Sequence, residues 1–239
     1  MTGILHSIES LAAVDGTGVR CSFFLSGCPL RCVYCHNPDT WERSGREITE
    51  ADLVKKAKRY KPYYGEDGGV TFSGGEPLLQ ASFIRSAVPG LQKENIPYIL
   101  DTSGQVELCE DVRFVYENCQ SVILDLKFWD DASYRKYTGC GIEKTLKTLD
   151  FLEEIEKPTL VRTVIVPGIN DTCEHVRAYQ DIISSYSCVT DYELLPFHTM
   201  GFFKYEKLGL ENPLKDTKAL DPKKLDELKQ CLYEKNLER

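Results

Sequence analysis

Three cysteines fall within eight residues, Cys28-Pro-Leu-Arg-Cys32-Val-Tyr-Cys35. Thiolates packed that closely are first of all ligands for a soft metal. Zinc takes four ligands around one ion, and His36 would have to be the fourth, directly beside Cys35; zinc sites more often use two separated ligand pairs. Cys32-Val33-Tyr34-Cys35-His36 also fits the CxxCH haem-attachment pattern, but that reading leaves Cys28 without a task. A [4Fe–4S] cluster uses all three thiolates and leaves one iron without a protein ligand. An open coordination position is a mark of chemistry rather than structure, by the same logic that separates catalytic from structural zinc.

Seven further cysteines, Cys21, Cys109, Cys119, Cys140, Cys173, Cys188 and Cys231, are scattered, with no CxxC spacing among them. In a chain without an export signal these are expected as free, small, buried hydrophobes and not as a disulfide framework.

The elements that must position the cysteines alternate in type. Short β-branched or aromatic runs at 19–25, 69–73, 97–101, 121–127, 159–166 and 190–197 read as buried strands. Helical patterns separate them. One opens at Thr49 with Asp52 three positions on, others cover 80–94, 108–118, 142–156 and 172–185, and a last one starts at Asp221-Pro222 and buries Leu225, Leu228 and Leu232. Ala87-Val88-Pro89-Gly90 predicts a kink or break inside the 80–94 helix. Strand–helix alternation implies a parallel sheet, and six units fall short of the eight that close a full barrel. The expected fold is α/β: a partial (β/α)6 barrel of parallel strands with flanking helices, as one domain over 1–239, with about 18 residues ahead of the first strand.

Working residues in such sheets gather where strands end. Those ends read Ser26-Gly27-Cys28, Ser73-Gly74-Gly75-Glu76-Pro77, Asp101-Thr102-Ser103-Gly104, Asp125-Leu126-Lys127, Pro167-Gly168-Ile169-Asn170 and Pro196-Phe197-His198. Six polar or glycine-rich ends beside a cysteine cluster predict one shared site. Asp125 and Lys127, two apart, face the same side of an extended strand. Arg162 alternates with Val161 and Thr163, and an inward arginine in a barrel requires a partner.

CxxxCxxC with an aromatic residue before its last cysteine, on the loop after the first strand, resembles the radical S-adenosylmethionine (SAM) enzymes. Further segments are similar to the glycyl-radical-enzyme activases within that superfamily: Val14-Asp15-Gly16-Thr17-Gly18-Val19-Arg20, Tyr34-Cys35-His36-Asn37-Pro38-Asp39-Thr40-Trp41, Ser73-Gly74-Gly75-Glu76, Asp101-Thr102-Ser103-Gly104, Leu124-Asp125-Leu126-Lys127, Val166-Pro167-Gly168 and Glu193-Leu194-Leu195-Pro196-Phe197-His198. The likeness runs in order through nearly the whole chain. Residues 42–68 contain no cysteine, so the ferredoxin-like insert of many relatives is absent, as in activases of the pyruvate formate-lyase type.

The resemblance implies that Cys28, Cys32 and Cys35 hold three irons of a [4Fe–4S] cluster and that SAM chelates the fourth. It places Gly74, Gly75 and Glu76 at the amino end of SAM, with Asp125, Leu126, Lys127 and Arg162 nearby. Tyr34, Cys35, His36 and His198 fall on the nucleoside. Asp101, Thr102 and Asp125 match positions for a monovalent cation, and Asp15 a position near the substrate glycine. One electron then cleaves SAM, and the resulting 5′-deoxyadenosyl radical takes hydrogen from a glycine Cα of the partner enzyme. The implied partners are a glycyl radical enzyme, pyruvate formate-lyase, as protein substrate and reduced flavodoxin or ferredoxin as electron donor.

Composition sets the outer bounds. The formal net charge is −8, which argues against a nucleic-acid partner. No apolar run approaches the roughly 18 residues that span a bilayer, and the first 20 residues lack an apolar export segment, so a cytoplasmic location is expected. Rival readings are an activase of a different glycyl radical enzyme, a radical SAM enzyme acting on a small molecule or nucleobase, and a non-catalytic iron–sulfur or zinc-stabilised module. An electron carrier normally supplies four cysteines per cluster, one more than this loop offers.

Overall fold

The structure, a computed structural model, describes residues 1–12 and 15–237, with side chains through 232. It opens with a strand the sequence reading did not expect. β1 (Thr2–Ala12) occupies the segment taken as a lead-in. β2 (Arg20–Leu25) follows, and after the cysteine loop comes β3 (Arg46–Thr49). Helix α1 (Glu50–Tyr60) starts on Thr49, whose hydroxyl accepts from the Asp52 N–H at 3.1 Å, the cap expected there. Next are β4 (Gly69–Gly74), α2 (Ala81–Lys93), β5 (Tyr98–Thr102), α3 (Glu110–Asn118) and β6 (Val122–Asp125). The chain continues through α4 (Asp131–Thr138), α5 (Glu143–Glu154), β7 (Thr159–Ile165), α6 (Cys173–Ile183), β8 (Val189–Pro196), α7 (Phe202–Leu208) and α8 (Pro222–Leu237).

All strands join one sheet in the order β3-β1-β2-β4-β5-β6-β7-β8. The six expected strands are parallel neighbours. β1 pairs antiparallel with both β2 and β3, adding a two-strand extension at one edge. Among the described residues β8 and β3 form no ladder, so the barrel stays open.

Period-two alternation explains the layers. One row along β2 and β4 to β7, including Cys21, Phe23, Val70, Phe72, Leu100, Leu124 and Val161, is completely buried in the main core. The other row faces the barrel interior and is largely polar. Register sets Ser22 beside Thr71, and Asp125, Arg162 and Glu193 side by side across three strands.

Three expectations need correction. α2 is not broken at Pro89; it runs through Pro89 to Lys93, because Val88 and Leu91 are fully buried and a Cβ at Gly90 would sit 2.7 Å from Val54. Packing there outweighs the single backbone bond that proline removes. Helices α4 and α7 were not anticipated, although Asp130 caps α4 by accepting from the Ser133 N–H and Gly139 ends it with φ +82°. The scattered cysteines are not all free: Cys173 and Cys231 form a disulfide, with Cα atoms 5.7 Å apart, because α6 and α8 pack side by side. Cys21, Cys119 and Cys188 are buried as expected, whereas Cys109 is exposed and Cys140 half-buried.

Candidate active site

The cysteine loop is fixed on three sides by backbone bonds. The Gly27 and Cys28 N–H groups donate to the Thr40 and Trp41 carbonyls at 2.8 and 3.1 Å. Arg31 and Val33 donate to Thr138 and Tyr137 at the end of α4, at 2.7 and 2.9 Å. From α7, the Tyr205 hydroxyl donates to the Cys35 carbonyl at 3.0 Å. Thus both unanticipated helices serve the loop.

Cys28, Cys32 and Cys35 line one cavity of ≈ 290 Å³ together with Gly74, Gly75, Asp101, Thr102, Asp125, Lys127 and Arg162. Burial pushes the Cys28 thiol up to about 12, with Glu76 adding to it, and burial raises Cys32 and Cys35 as well. Thiols so shifted are poor nucleophiles at neutral pH; a bound cation is what turns such groups into thiolates. Among the described residues no three His, Cys, Asp or Glu side chains converge on a single-ion site. Three thiols from one loop on one cavity wall are the donors of a cluster whose thiolates each take a different iron. The donor set therefore fits [4Fe–4S].

Gly74 and Gly75 are required by loop packing. Gly74 has φ +121°, and a Cβ on Gly75 would lie 2.3 Å from the Gly27 carbonyl oxygen. The Gly75 and Glu76 N–H groups donate to Leu25 and Gly27 carbonyls, at 3.0 and 2.8 Å, joining this segment to the cysteine loop. Glu76 itself is fully buried and turns away from the cavity. Its carboxylate accepts from the Thr102 hydroxyl at 2.6 Å, the Leu78 N–H at 3.1 Å, and the Ser103 N–H and hydroxyl at 2.9 and 2.6 Å. Burial still raises its pKa, outweighing those four bonds.

The charged floor has its own order. Lys127 pairs with Asp125 at 2.5 Å; burial opposes the ammonium, but Asp125, Tyr34 and Cys32 hold its pKa well above the ordinary value. Asp101 accepts from the Ser73 hydroxyl at 2.6 Å and is pushed up to about 7, by burial first and then by Asp125. The Thr102 hydroxyl is committed to Glu76. The Leu126 side chain is completely buried, and its backbone N–H and carbonyl bond to Arg162 and Thr163.

On the loop side, His36 Nε2 donates to the His198 carbonyl at 2.9 Å, and the two rings stack with centroids 3.6 Å apart. Burial, then His198, lowers His36 to about 4, so its ring is neutral. The His198 ring is not on the cavity wall. Tyr34 is buried, and its hydroxyl has no hydrogen-bond partner. Asp15 reaches the cavity, accepting from the Ser22 hydroxyl at 2.6 Å, while its carbonyl accepts from the Thr71 hydroxyl at 2.8 Å.

Two residues quoted only within motifs carry more than the sequence reading gave them. Arg20, completely buried, donates to Thr71 and to the Thr17, Asp67 and Val70 carbonyls, pinning the Asp15 segment over β4. Its place on the inner row with Ser22 was the available signal. Glu193 pairs with Arg162 at 2.7 Å, a contact that only strand register defines. A second cavity of ≈ 990 Å³ lies inside the barrel, from Asp191 and Glu193 on β8 to Gly16 and Thr17 ahead of β2, and it shares Arg162 with the first.

Residues 22–179 match the family model described as the radical SAM superfamily. The chain is 42% identical to a pyruvate formate-lyase-activating enzyme of Clostridium pasteurianum, over 97% of this chain and 98% of that protein. It is 38% identical to one of Staphylococcus aureus, over 92% and 91%. Among solved structures, a domain of a pyruvate-formate lyase-activating enzyme from Bacteroides vulgatus matches with TM-score 0.57 at 23% identity, over 70% of this chain and 94% of that one. A radical SAM methyltransferase from Sphaerobacter thermophilus matches with TM-score 0.65 at 16% identity, over 90% and 63%. These structural likenesses concern the fold: an open, mostly parallel barrel with flanking helices.

Proposed function

The chain belongs to the radical SAM superfamily and, within it, to the family of the pyruvate formate-lyase-activating enzymes, and from that premise we propose that it is an oxidoreductase that installs a glycyl radical on pyruvate formate-lyase. The observation that carries this reading is the cavity that gathers three thiols, Cys32 buried and Cys28 and Cys35 half-buried, on one wall with Asp125, Lys127 and Arg162, and with no fourth cysteine among its described lining residues. Bound there, a [4Fe–4S] cluster and SAM supply one-electron reductive cleavage of a carbon–sulfur bond and, from it, the radical that removes hydrogen from a glycine Cα.

The chain's own part is to place and shelter. Cys28, Cys32 and Cys35 hold the cluster. The Lys127 ammonium and Asp125 carboxylate offer one charge each to the carboxylate and ammonium of an amino acid, with the Gly74–Gly75 backbone beside them. Glu76 acts from behind, locking the β4 and β5 ends together. His36, Tyr34, the Leu126 backbone and, through its carbonyl, His198 form the nucleoside side. Asp101 and Asp125, two acidic groups facing one another, suit a monovalent cation, with Thr102 beside them. Asp15, fastened by Ser22 and Thr71, lies on the smaller cavity just ahead of Gly16 and Thr17 of the larger one, where a substrate glycine loop would approach.

We read 1–239 as one domain working in the cytoplasm, with reduced flavodoxin or ferredoxin as donor and with neither nucleic acid nor membrane as partner. Among the described residues no helix is long and apolar enough to cross a membrane. The test is anaerobic reconstitution with iron and sulfide, reduction by dithionite, and addition of SAM and pyruvate formate-lyase. A glycyl radical signal in electron paramagnetic resonance, dependent on all components, is the expected result. SAM cleavage without any glycyl radical would overturn the choice of substrate, and no cleavage at all would overturn the reaction.

A further inference from the structure

Cys173 opens α6 and Cys231 lies on α8, 58 residues later, and their bonded sulfurs join the two helices. The Cα separation of 5.7 Å is one a disulfide spans without moving the backbone. The bond lies outside the candidate active site, and no step proposed above uses it. Further contacts join α8 to the barrel. Leu225 and Leu228 join Ile165, Val176, Leu194 and Leu220 in a small cluster apart from the main core, and Gln180 donates to the Leu232 carbonyl at 3.2 Å. Lys229 and Leu232 in turn line the ≈ 990 Å³ cavity inside the barrel. The crosslink fastens a helix that borders this cavity.

We propose that Cys173 and Cys231 form a reversible thiol–disulfide modification site whose substrate is a dithiol reductant and whose oxidised form clamps α8 against α6. Cys173 is half-buried and Cys231 buried, so an entering thiolate reaches the Cys173 sulfur. Attack forms a mixed disulfide with Cys173 and releases the Cys231 thiolate, which takes up a proton. The second thiolate of the reductant then attacks its own partner sulfur in that mixed disulfide, closes its ring, and releases Cys173, which takes up the other proton. Two electrons pass from the dithiol to the protein disulfide, and oxidation by a small disulfide such as oxidised glutathione is the reverse exchange. Once reduced, α8 loses its covalent tie to α6, and its local opening becomes easier.

The experiment uses the cluster-loaded protein carrying Cys109→Ser, which removes the exposed free thiol. Without oxygen, it is equilibrated with dithiothreitol or with oxidised glutathione and mapped by non-reducing peptide mass spectrometry and backbone hydrogen exchange. The 173–231 linked peptide is expected after oxidised glutathione and not after dithiothreitol. Exchange over 222–232 is expected to rise about 10-fold on reduction, and equally in Cys231→Ser, while α2 stays unchanged. Absence of the linked peptide under oxidising conditions, or α8 exchange that is the same in both states, would overturn the proposal. Neither readout depends on radical formation, so its failure is separable from failure of the proposed reaction.

Discussion

The Arg162 Nε donates to the Glu193 carboxylate at 2.7 Å across adjacent strands, and Arg162 borders both cavities of the barrel. It is also the register partner of Asp125 on its other side, so one guanidinium links the floor of the smaller cavity to the opening of the larger. Glu193 is partly exposed, at 43% for its side chain, and can rehydrate when its partner is lost. Arg162→Met is therefore expected to cost about 1 kcal/mol or less in stability. Glycyl radical formation, in contrast, is expected to fall about 100-fold because the two sites lose their alignment. Urea midpoints and radical yield measured on one preparation check the separation.

Cys32, proposed above as a cluster ligand, has a small, buried side chain, 7% exposed. Cys32→Ala should keep the fold within about 1 kcal/mol. It should lose the brown absorbance of the cluster and reduce SAM cleavage by more than about 100-fold, since even loss of an outer supporting contact costs 10- to 100-fold. Iron content, circular dichroism and product chromatography report the three outcomes; a variant with full activity would remove Cys32 from the ligand set.

Glu76 behaves as an internal bolt. Glu76→Gln places an amide NH2 against donors from Thr102, Leu78 and Ser103. The mismatch is expected to cost about 2–4 kcal/mol. Thermal melting of the metal-free chain reads this without reference to catalysis. An unchanged melting temperature would show that the β4 and β5 ends do not rely on this carboxylate.

Asp101 carries a pH signature. Its folded pKa, raised from 3.8 to about 7 by burial and by Asp125, means that the folded chain holds a proton the unfolded chain has released. The stability it contributes is fully present below about pH 4 and is lost as pH rises through about 7. Between about pH 5 and about pH 8, the metal-free wild type is expected to lose on the order of 1–3 kcal/mol relative to Asp101→Asn. Parallel urea titrations of the two proteins check the sign.

Much of the site was legible because its signals are local. The cysteine spacing, the glycine pair before Glu76 and the Asp125–Lys127 alternation all sit within a few residues. Other features were not, for differing reasons. β1 alternates too irregularly to read as a strand and owes its place to pairing on both edges with β2 and β3. The caps of α4 were present in Asp130 and Gly139, but eight residues between a strand and another helix left little periodicity to read. Glu76, read as a ligand-side group, proved to be turned inward, because residues after a strand end follow loop packing and not the strand's alternation.

The chain alone determined its alternating strands and helices, its inner polar row and its three clustered thiols, since each depends on side-chain chemistry repeated at short, fixed spacings. Tertiary structure decided what meets what: Arg162 with Glu193, His36 stacked on His198 from 162 residues away, Arg20 pinned beneath the Asp15 segment, and Cys173 bonded to Cys231. Those contacts follow from sheet register and helix docking, in which a shift of one residue would turn each side chain to the opposite face.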